Sequence, residues 1–444
     1  MSSKAGLTIL TAALIAAGSS ARAADPPRPQ LLERGHDVGA YTLAGNGAGE
    51  RIVVVRRDLP TSGMDVFTAP PGAPFGPATR LRGGDGPTPE LKAAVGSDGT
   101  VAIVGSQDRV VALVRTPGAA FGKPEAISGH NVFETSVAFD RQGAATAIWV
   151  RDATKGSAAY VEASTLPPGG HWSKPTLISY ERRGAASPQV AFDAAGDSVA
   201  VWTRDGSPID VSFRAAKRRK RFENEVVAAT RPAGGAFSRP QVVSDPRFNS
   251  DEASLSVNST GQAAIAWVLN TLGDKHLRIG GAFREPGKRF GRPRFLTAAG
   301  RDSYGTSIAL DEAGRALLVW TIPGDRPTMG SNANQVLAAV RRPGGPLGKP
   351  VRLSDRHTGF PEVAMSPDGH AVVAWVRESR FGYLAQARRV TTAGALGPIT
   401  QISPRSEYVD TLDAVVDDSG SALFTWTRNA HHSARLEAAT LPRR

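Results

Sequence analysis

The 444-residue chain has no cysteine. Disulfides and lipid attachment at a thiol are therefore excluded. It also lacks any internal apolar run near the roughly 20 residues a membrane-spanning helix needs. No helical 3.6-residue pattern of length is present. Three catalytic or ligand signatures are missing as well: a Ser–His–Asp elbow, a phosphate-cradling P-loop and an EF-type calcium loop. No cofactor and no metal are expected. Absence of cysteine in an exported protein fits a bacterial envelope or the medium, without choosing between them.

What the chain does contain is a repeat. Asp140-Arg141-Gln142-Gly143 is followed six residues after the glycine by Trp149. The same Gly/Trp pair recurs as Gly196/Trp202, Gly261/Trp267, Gly314/Trp320, Gly369/Trp375 and Gly420/Trp426. Two weaker copies precede them, Gly49/Val55 and Gly99/Gly105. Each glycine closes a tight turn between two short runs rich in Val, Ala, Ile and aromatics. Asp bonds its own backbone two residues on, and Gly supplies a positive φ. Each copy thus reads as strand A, turn, strand B. A second pair, C and D, follows around a Pro-Gly turn and an edge such as Phe121-Gly122-Lys123-Pro124 or Trp172-Ser173-Lys174-Pro175. Proline there suits an outer strand, where its missing N–H does no harm.

The glycines are spaced 50, 44, 53, 65, 53, 55 and 51 residues apart. Four antiparallel strands per period of about 40–50 residues predict an all-β, eight-bladed β-propeller. Seven blades is the alternative, because the Gly49 unit lacks the tryptophan. The blades are placed at about 35–81, 87–127, 133–178, 187–243, 252–296, 306–353, 361–402 and 410–444. The last unit has no D strand of its own, and residues 24–34 match the D pattern. That segment is expected to complete blade eight and close the ring. Closure removes an open edge that invites association, so a monomer is expected. The 48 glycines and 32 prolines fall in turns at regular intervals, so disorder is not implied.

Residues 1–23 read as a secretory signal. Lys4 is the charge, Leu7 to Ala17 the apolar run, and Ala21-Arg22-Ala23 the cleavage site. Residues 24–444 then form a single propeller domain, secreted or periplasmic. Loss of Lys4 and Arg22 takes the net charge from +12 to +10, a balance that favours anionic partners.

In a propeller, A–B and C–D turns share one face, while B–C and D–A connections share the other, where ligands usually bind. The tryptophans read as packing between neighbouring blades, with sugar or base stacking as the alternative. Two residues past that register stand Arg57, Arg151, Arg204, Arg377 and Arg428. They form either an anion-binding crown or local pairs, and the acids that follow four of them (Asp58, Asp152, Asp205, Glu378) favour pairing. Lys217, Arg218, Arg219, Lys220 and Arg221 form a basic B–C loop suited to a polyanion. Nucleic acid is the weaker choice, since only Phe213 and Phe222 stand nearby.

Nine residues before the turn glycine stand Glu90, Glu134 and Glu252, at the mouth of strand A. His36, His130 and His357 lie in D–A connections, and His276, His431 and His432 in B–C connections. Such groups around a channel mouth could act as acid and base, although their spacings fit no metal motif.

The turn Ser366-Pro367-Asp368-Gly369, and less fully Ser97-Asp98-Gly99, resembles the S-P-D-G turn of TolB-like and WD40-like propeller repeats. The resemblance implies a periplasmic scaffold that binds other proteins. The leading expectation is an exported, non-catalytic propeller binding a protein partner or an anionic envelope polymer on the B–C face. The alternative is a glycan hydrolase or lyase at the channel mouth.

Overall fold

One hairpin shows how the sequence builds the whole. Asp140 Oδ1 accepts from the backbone N–H of Gln142 at 2.9 Å and of Ala144 at 2.8 Å. Gly143, at φ 86°, takes the left-handed position that an L side chain resists. The turn sets Val132–Phe139 against Ala145–Asp152 in antiparallel register. Ala159–Leu166 and the two-residue edge Thr176–Leu177 complete the sheet.

The computed structural model describes residues 27–35, 38–57, 63–81, 90–106, 108–152, 159–180, 184–205, 224–270, 276–324, 334–430 and 433–443. Among these there is no helix, and the strands form eight four-stranded antiparallel sheets. The chain is an eight-bladed β-propeller. Its inner strands, in order, are Val38–Gly45, Glu90–Val95, Val132–Phe139, Ala185–Phe192, Asn249–Val257, Tyr304–Leu310, Thr358–Met365 and Tyr408–Val416. Blade one forms all four strands without a tryptophan, because Ile52 to Val55 bury as completely as the others' B strands. The residues read as a signal, 1–23, lie outside the described residues.

The ring closes as the sequence predicts. Gln30–Gly35 pairs antiparallel with Ser433–Leu441, which pairs in turn with Ala422–Ala430. The closing strand behaves as a D strand in detail. Gln30 donates to the Phe75 carbonyl at 2.8 Å and accepts from its N–H at 2.9 Å. Gln241, in the D strand of blade four, makes the same reciprocal pair with Phe290 of blade five at 2.8 and 3.1 Å.

The core is a series of interfaces between blades. Trp149 packs with Ala102, Val104 and Val110 of the preceding blade, and Trp202 with Ile148, Val150 and Val161. Trp267 sits among Val199, Val201 and Val226 of blade four, and Trp426 among Val372, Ala374 and Ala385 of blade seven. Trp149, Trp202, Trp267, Trp375 and Trp426 are at most 1% exposed, and Trp320 is 3% exposed. The aromatic of the edge motif (Phe75, Trp172, Phe237, Phe290) is buried too. In blade six Leu347 takes the place of the aromatic, and at the following Gly348 an added Cβ would stand 2.8 Å from the Val340 carbonyl oxygen, closer than atoms pack.

Candidate functional site

The face carrying the B–C and D–A connections holds a cleft. It has a volume of about 800 Å³ and lies where blades eight and one meet. Tyr408, Glu407 and Asp410 enter from the start of blade eight's inner strand. Thr427, Arg428 and Asn429 come from its second strand, and Val38 and Ala40 form the wall on blade one. Glu407 makes no hydrogen bond or ion pair among the described residues. Asp410 caps the next backbone N–H, Thr411, at 2.8 Å, and its second oxygen has no partner among the described residues. Arg428 is occupied, 2.7 Å from Glu437.

The repeat tryptophans take no part in any ligand surface, which corrects the stacking alternative. A sugar or base cannot reach a ring sealed between two blades. Trp267 and Trp426 are the clearest cases. Both are fully buried, and their indole N–H groups find no acceptor among the described residues. They are held by apolar packing alone. Two others do find one: Glu162 accepts the indole N–H of Trp149 at 3.0 Å, and Gln386 accepts that of Trp375 at 3.1 Å.

All five B-strand arginines are paired like Arg428. Arg57 meets Asp65 and Glu33, the latter at 3.1 Å. Arg151 meets Glu162 at 3.1 Å, Arg204 meets Glu225 at 2.8 Å, and Arg377 meets Asp355 at 3.6 Å. In four blades the partner comes from strand C, across the B–C hairpin, rather than from the acid next in sequence. In blade three the same Glu162 holds both Trp149 and Arg151, a polar bridge inside the sheet. The loop Lys217–Arg221 lies outside the described residues.

The register nine before the turn glycine is a β-bulge. Pairing slips in strand A of blades three to eight, and the residue there takes a left-handed conformation: Glu134, Ser187, Glu252, Gly305, Phe360 and Thr411, with φ from 46° to 55°. Only one of the six is glycine, so the ring keeps this strain at its mouth. Glu90 accepts from the backbone N–H of Thr135 at 2.6 Å, and Glu134 accepts from that of Ser187. Both carboxylates therefore latch one inner strand to the next. Glu252 is exposed and holds no such bond among the described residues.

Two residues further along, the inner strands of blades three to five each turn a side chain toward the next strand. Val190 N–H donates to Ser136 Oγ at 3.2 Å, Leu255 N–H to Gln189 Oε1 at 3.1 Å, and Ile308 N–H to Ser254 Oγ at 3.2 Å. At blades seven and eight this register holds Glu362 and Asp413 instead. Glu362 is open to channel solvent by surface area, yet protein surrounds it. That burial, then the charge of Asp413, raises its pKa to about 7, against the bond from Ser307 at 3.3 Å. Burial raises Asp413 to about 6, opposed by the charge of Lys92. Burial and the same carboxylate also raise the Tyr41 phenol, which donates to the Thr411 carbonyl. The glutamate register, nine residues before the turn glycine, does not itself contain Glu362, Asp413 or Lys92. Counting seven residues back from each turn glycine, rather than nine, finds all three.

Among the described residues the histidines do not converge. His130 pairs with Asp108 and Arg109, and His276 lies 3.3 Å from Asp302. His36, His431 and His432 lie outside the described residues. Among the described residues no group of three His, Asp or Glu side chains could hold a metal. Nor is any helix there long and apolar enough to cross a membrane.

No family model matches the sequence, and no curated protein does. Solved structures do resemble the fold. One is the BP39L lectin from Burkholderia pseudomallei, 12% identical, with a TM-score of 0.55 over 83% of this chain and 100% of that one. Another is a polysaccharide lyase, the PL25 ulvan lyase bound to -[GlcA(1-4)Rha3S]-, 8% identical, with a TM-score of 0.53 over 92% of this chain and 95% of that one. At these identities the likeness is one of architecture.

Proposed function

We propose that this chain is an exported, non-catalytic propeller that binds a glycan in the cleft between blades eight and one. The cleft carries the reading. Its volume of about 800 Å³ suits a short saccharide, within the range of about 300–1,000 Å³ for small-ligand sites. An aromatic ring beside unpaired carboxylate and amide groups is what a sugar needs. Its C–H face packs on the ring, and its hydroxyls donate to the carboxylates. Two fold relatives, a lectin and a polysaccharide lyase, are carbohydrate proteins, which supports this class of ligand. Export rests on residues 1–23 of the sequence, and the TolB-like turn supports an envelope setting, where a protein partner could share the same face. Immobilised glycans should retain the mature chain. Tyr408→Ala and Asp410→Ala should each weaken retention about tenfold without changing the melting temperature. Retention by no glycan, or equal retention of both variants, would sink the reading.

A second reading, glycan hydrolysis or elimination at the channel, is favoured by Glu362. A carboxyl with its pKa raised to about 7 can donate a proton near neutrality. Release of new sugar ends that disappears with Glu362→Gln would establish it. Intact polymer after prolonged incubation at pH 6 to 7 would remove it.

A further inference from the structure

The five arginines placed by the repeat are neutralised by carboxylates, but two outside the repeat are not. Arg380 and Phe381 form the two-residue tip of the hairpin joining His370–Ser379 to Gly382–Thr391 in blade seven. The positive φ of this turn falls on Gly382, at 105°, so Arg380 and Phe381 are not bound by the preference for Asn, Asp and Gly at left-handed turn positions. Phe381 is 62% exposed. The Arg380 guanidinium carbon lies 4.4 Å from the ring centroid, and that of Arg405 lies 5.7 Å from it. Neither guanidinium meets a carboxylate among the described residues.

The tip is held rigidly. Tyr383 N–H donates to the Ser406 carbonyl at 2.7 Å, and Ser406 N–H returns to the Tyr383 carbonyl at 2.9 Å. Gly382, at φ 105°, lies so close to the Ser406 carbonyl that a Cβ would collide with it. Ser379 Oγ closes the turn onto the Gly382 carbonyl at 2.8 Å. The same segment leads straight to the cleft. The Tyr383 ring meets Tyr408 edge to face at 5.5 Å between centroids, and Tyr408 is itself a cleft residue, 46% exposed. An exposed aromatic, two unpaired guanidiniums and the cleft tyrosine therefore form one continuous, pre-organised surface.

We infer that this surface is a subsite for an acidic sugar of the glycan held in the cleft. The inference rests on the glycan reading above and adds the substrate class. Phe381 offers a face for the pyranose ring, and Arg380 and Arg405 offer forks for its anionic group. That group is a ring carboxylate or a sulfate ester, both planar or trigonal arrays of oxygens that accept from guanidinium. Neutral residues of the same chain pass to Glu407 and Asp410, whose carboxylates would repel an anion. The site therefore reads the charge of its ligand by position.

Affinity electrophoresis of the mature chain at about 0.15 M salt tests this, with polygalacturonate, dextran sulfate or neutral dextran in the gel. The expected result is retardation by a polyanion, reduced about tenfold or more in Arg380→Gln/Arg405→Gln. Phe381→Ser should lower it similarly. Lys123→Gln/Lys174→Gln removes two exposed cations elsewhere and should leave it nearly unchanged. Polygalacturonate alone, or dextran sulfate alone, would assign the anion as carboxylate or sulfate. Equal loss in the two double variants would reduce the effect to net charge and overturn the inference. Unchanged retardation in Arg380→Gln/Arg405→Gln with loss in Tyr408→Ala would leave the glycan reading standing and remove the acidic subsite. Retention by none of these polymers nor by any immobilised glycan would remove both. All the altered side chains are exposed, and a matching melting temperature confirms that each variant is folded.

Discussion

Trp320 illustrates what a single register specifies. Its ring stands among Ile308, Leu318 and Ile322 of its own blade and Ala264, Ala266 and Ile279 of the one before. Burial of this kind makes it a structural contact between blades rather than a surface for ligand. Trp320→Ala is expected to destabilise the chain by about 3–5 kcal/mol, read from the urea midpoint. A near-neutral value would mean that the ring is free to serve a ligand. The tryptophan period was legible in sequence because large apolar residues at one fixed offset mark a packing position that recurs. The partner of each following arginine was not. Pairing across the hairpin depends on strand register, which places Glu162 opposite Trp149, two positions from where Arg151 lies. Asp152, next in sequence, points to the other face of the strand. Register also explains one contrast among the indoles: Glu162 stands opposite Trp149 and reaches it, whereas Gly280, which has no side chain, stands opposite Trp267. The exposed Phe381 was invisible for a different reason: it belongs to no repeat, and a lone aromatic in a loop carries no periodic signal.

At the scale of the element, the strand Gln30–Gly35 carries more than its length suggests. It supplies the outer edge of blade eight, and Glu33 reaches Arg57 of blade one at 3.1 Å. With Gln30 bonded to Phe75, it fastens the last blade to the first by side chains as well as backbone. Removal of residues 25–34 is expected to lower the melting temperature by about 5 °C or more and to make the chain prone to edge pairing. An unchanged melting temperature with a monomeric elution volume would show that the strand is dispensable. This element could be read in advance because a four-strand unit missing one strand leaves a countable deficit. The bulges in the inner strands could not. Their residues (Glu134, Ser187, Glu252, Phe360 and Thr411) range from carboxylate to hydroxyl to aromatic ring, and only blade six, at Gly305, has the residue that left-handed backbone favours. The repeat keeps a backbone shape there, while the side chains on it differ from blade to blade.

The ring as a whole sets the protonation of its axis. Eight inner strands enclose the channel, so a carboxylate pointing into it loses much of its hydration. Glu362 and Asp413 have pKa values raised to about 7 and about 6, mainly by that burial. In the unfolded chain such groups titrate near 4. Between those limits the folded state holds more protons than the unfolded one, so stability falls as pH rises from about 4 to about 7, and this contribution is flat above. Water in the channel reaches Glu362 and moderates the effect, which should amount to on the order of 1–2 kcal/mol. Glu362→Gln/Asp413→Asn cannot ionise at either position. Its urea midpoint should therefore change less between pH 5 and pH 8 than that of the parent chain, and at pH 8 it should be the more stable of the two. Equal pH dependence in both proteins would place these carboxylates in ordinary solvent. That outcome would also withdraw the acid that the catalytic reading requires, since a carboxyl ionised at neutral pH has no proton to give a leaving sugar.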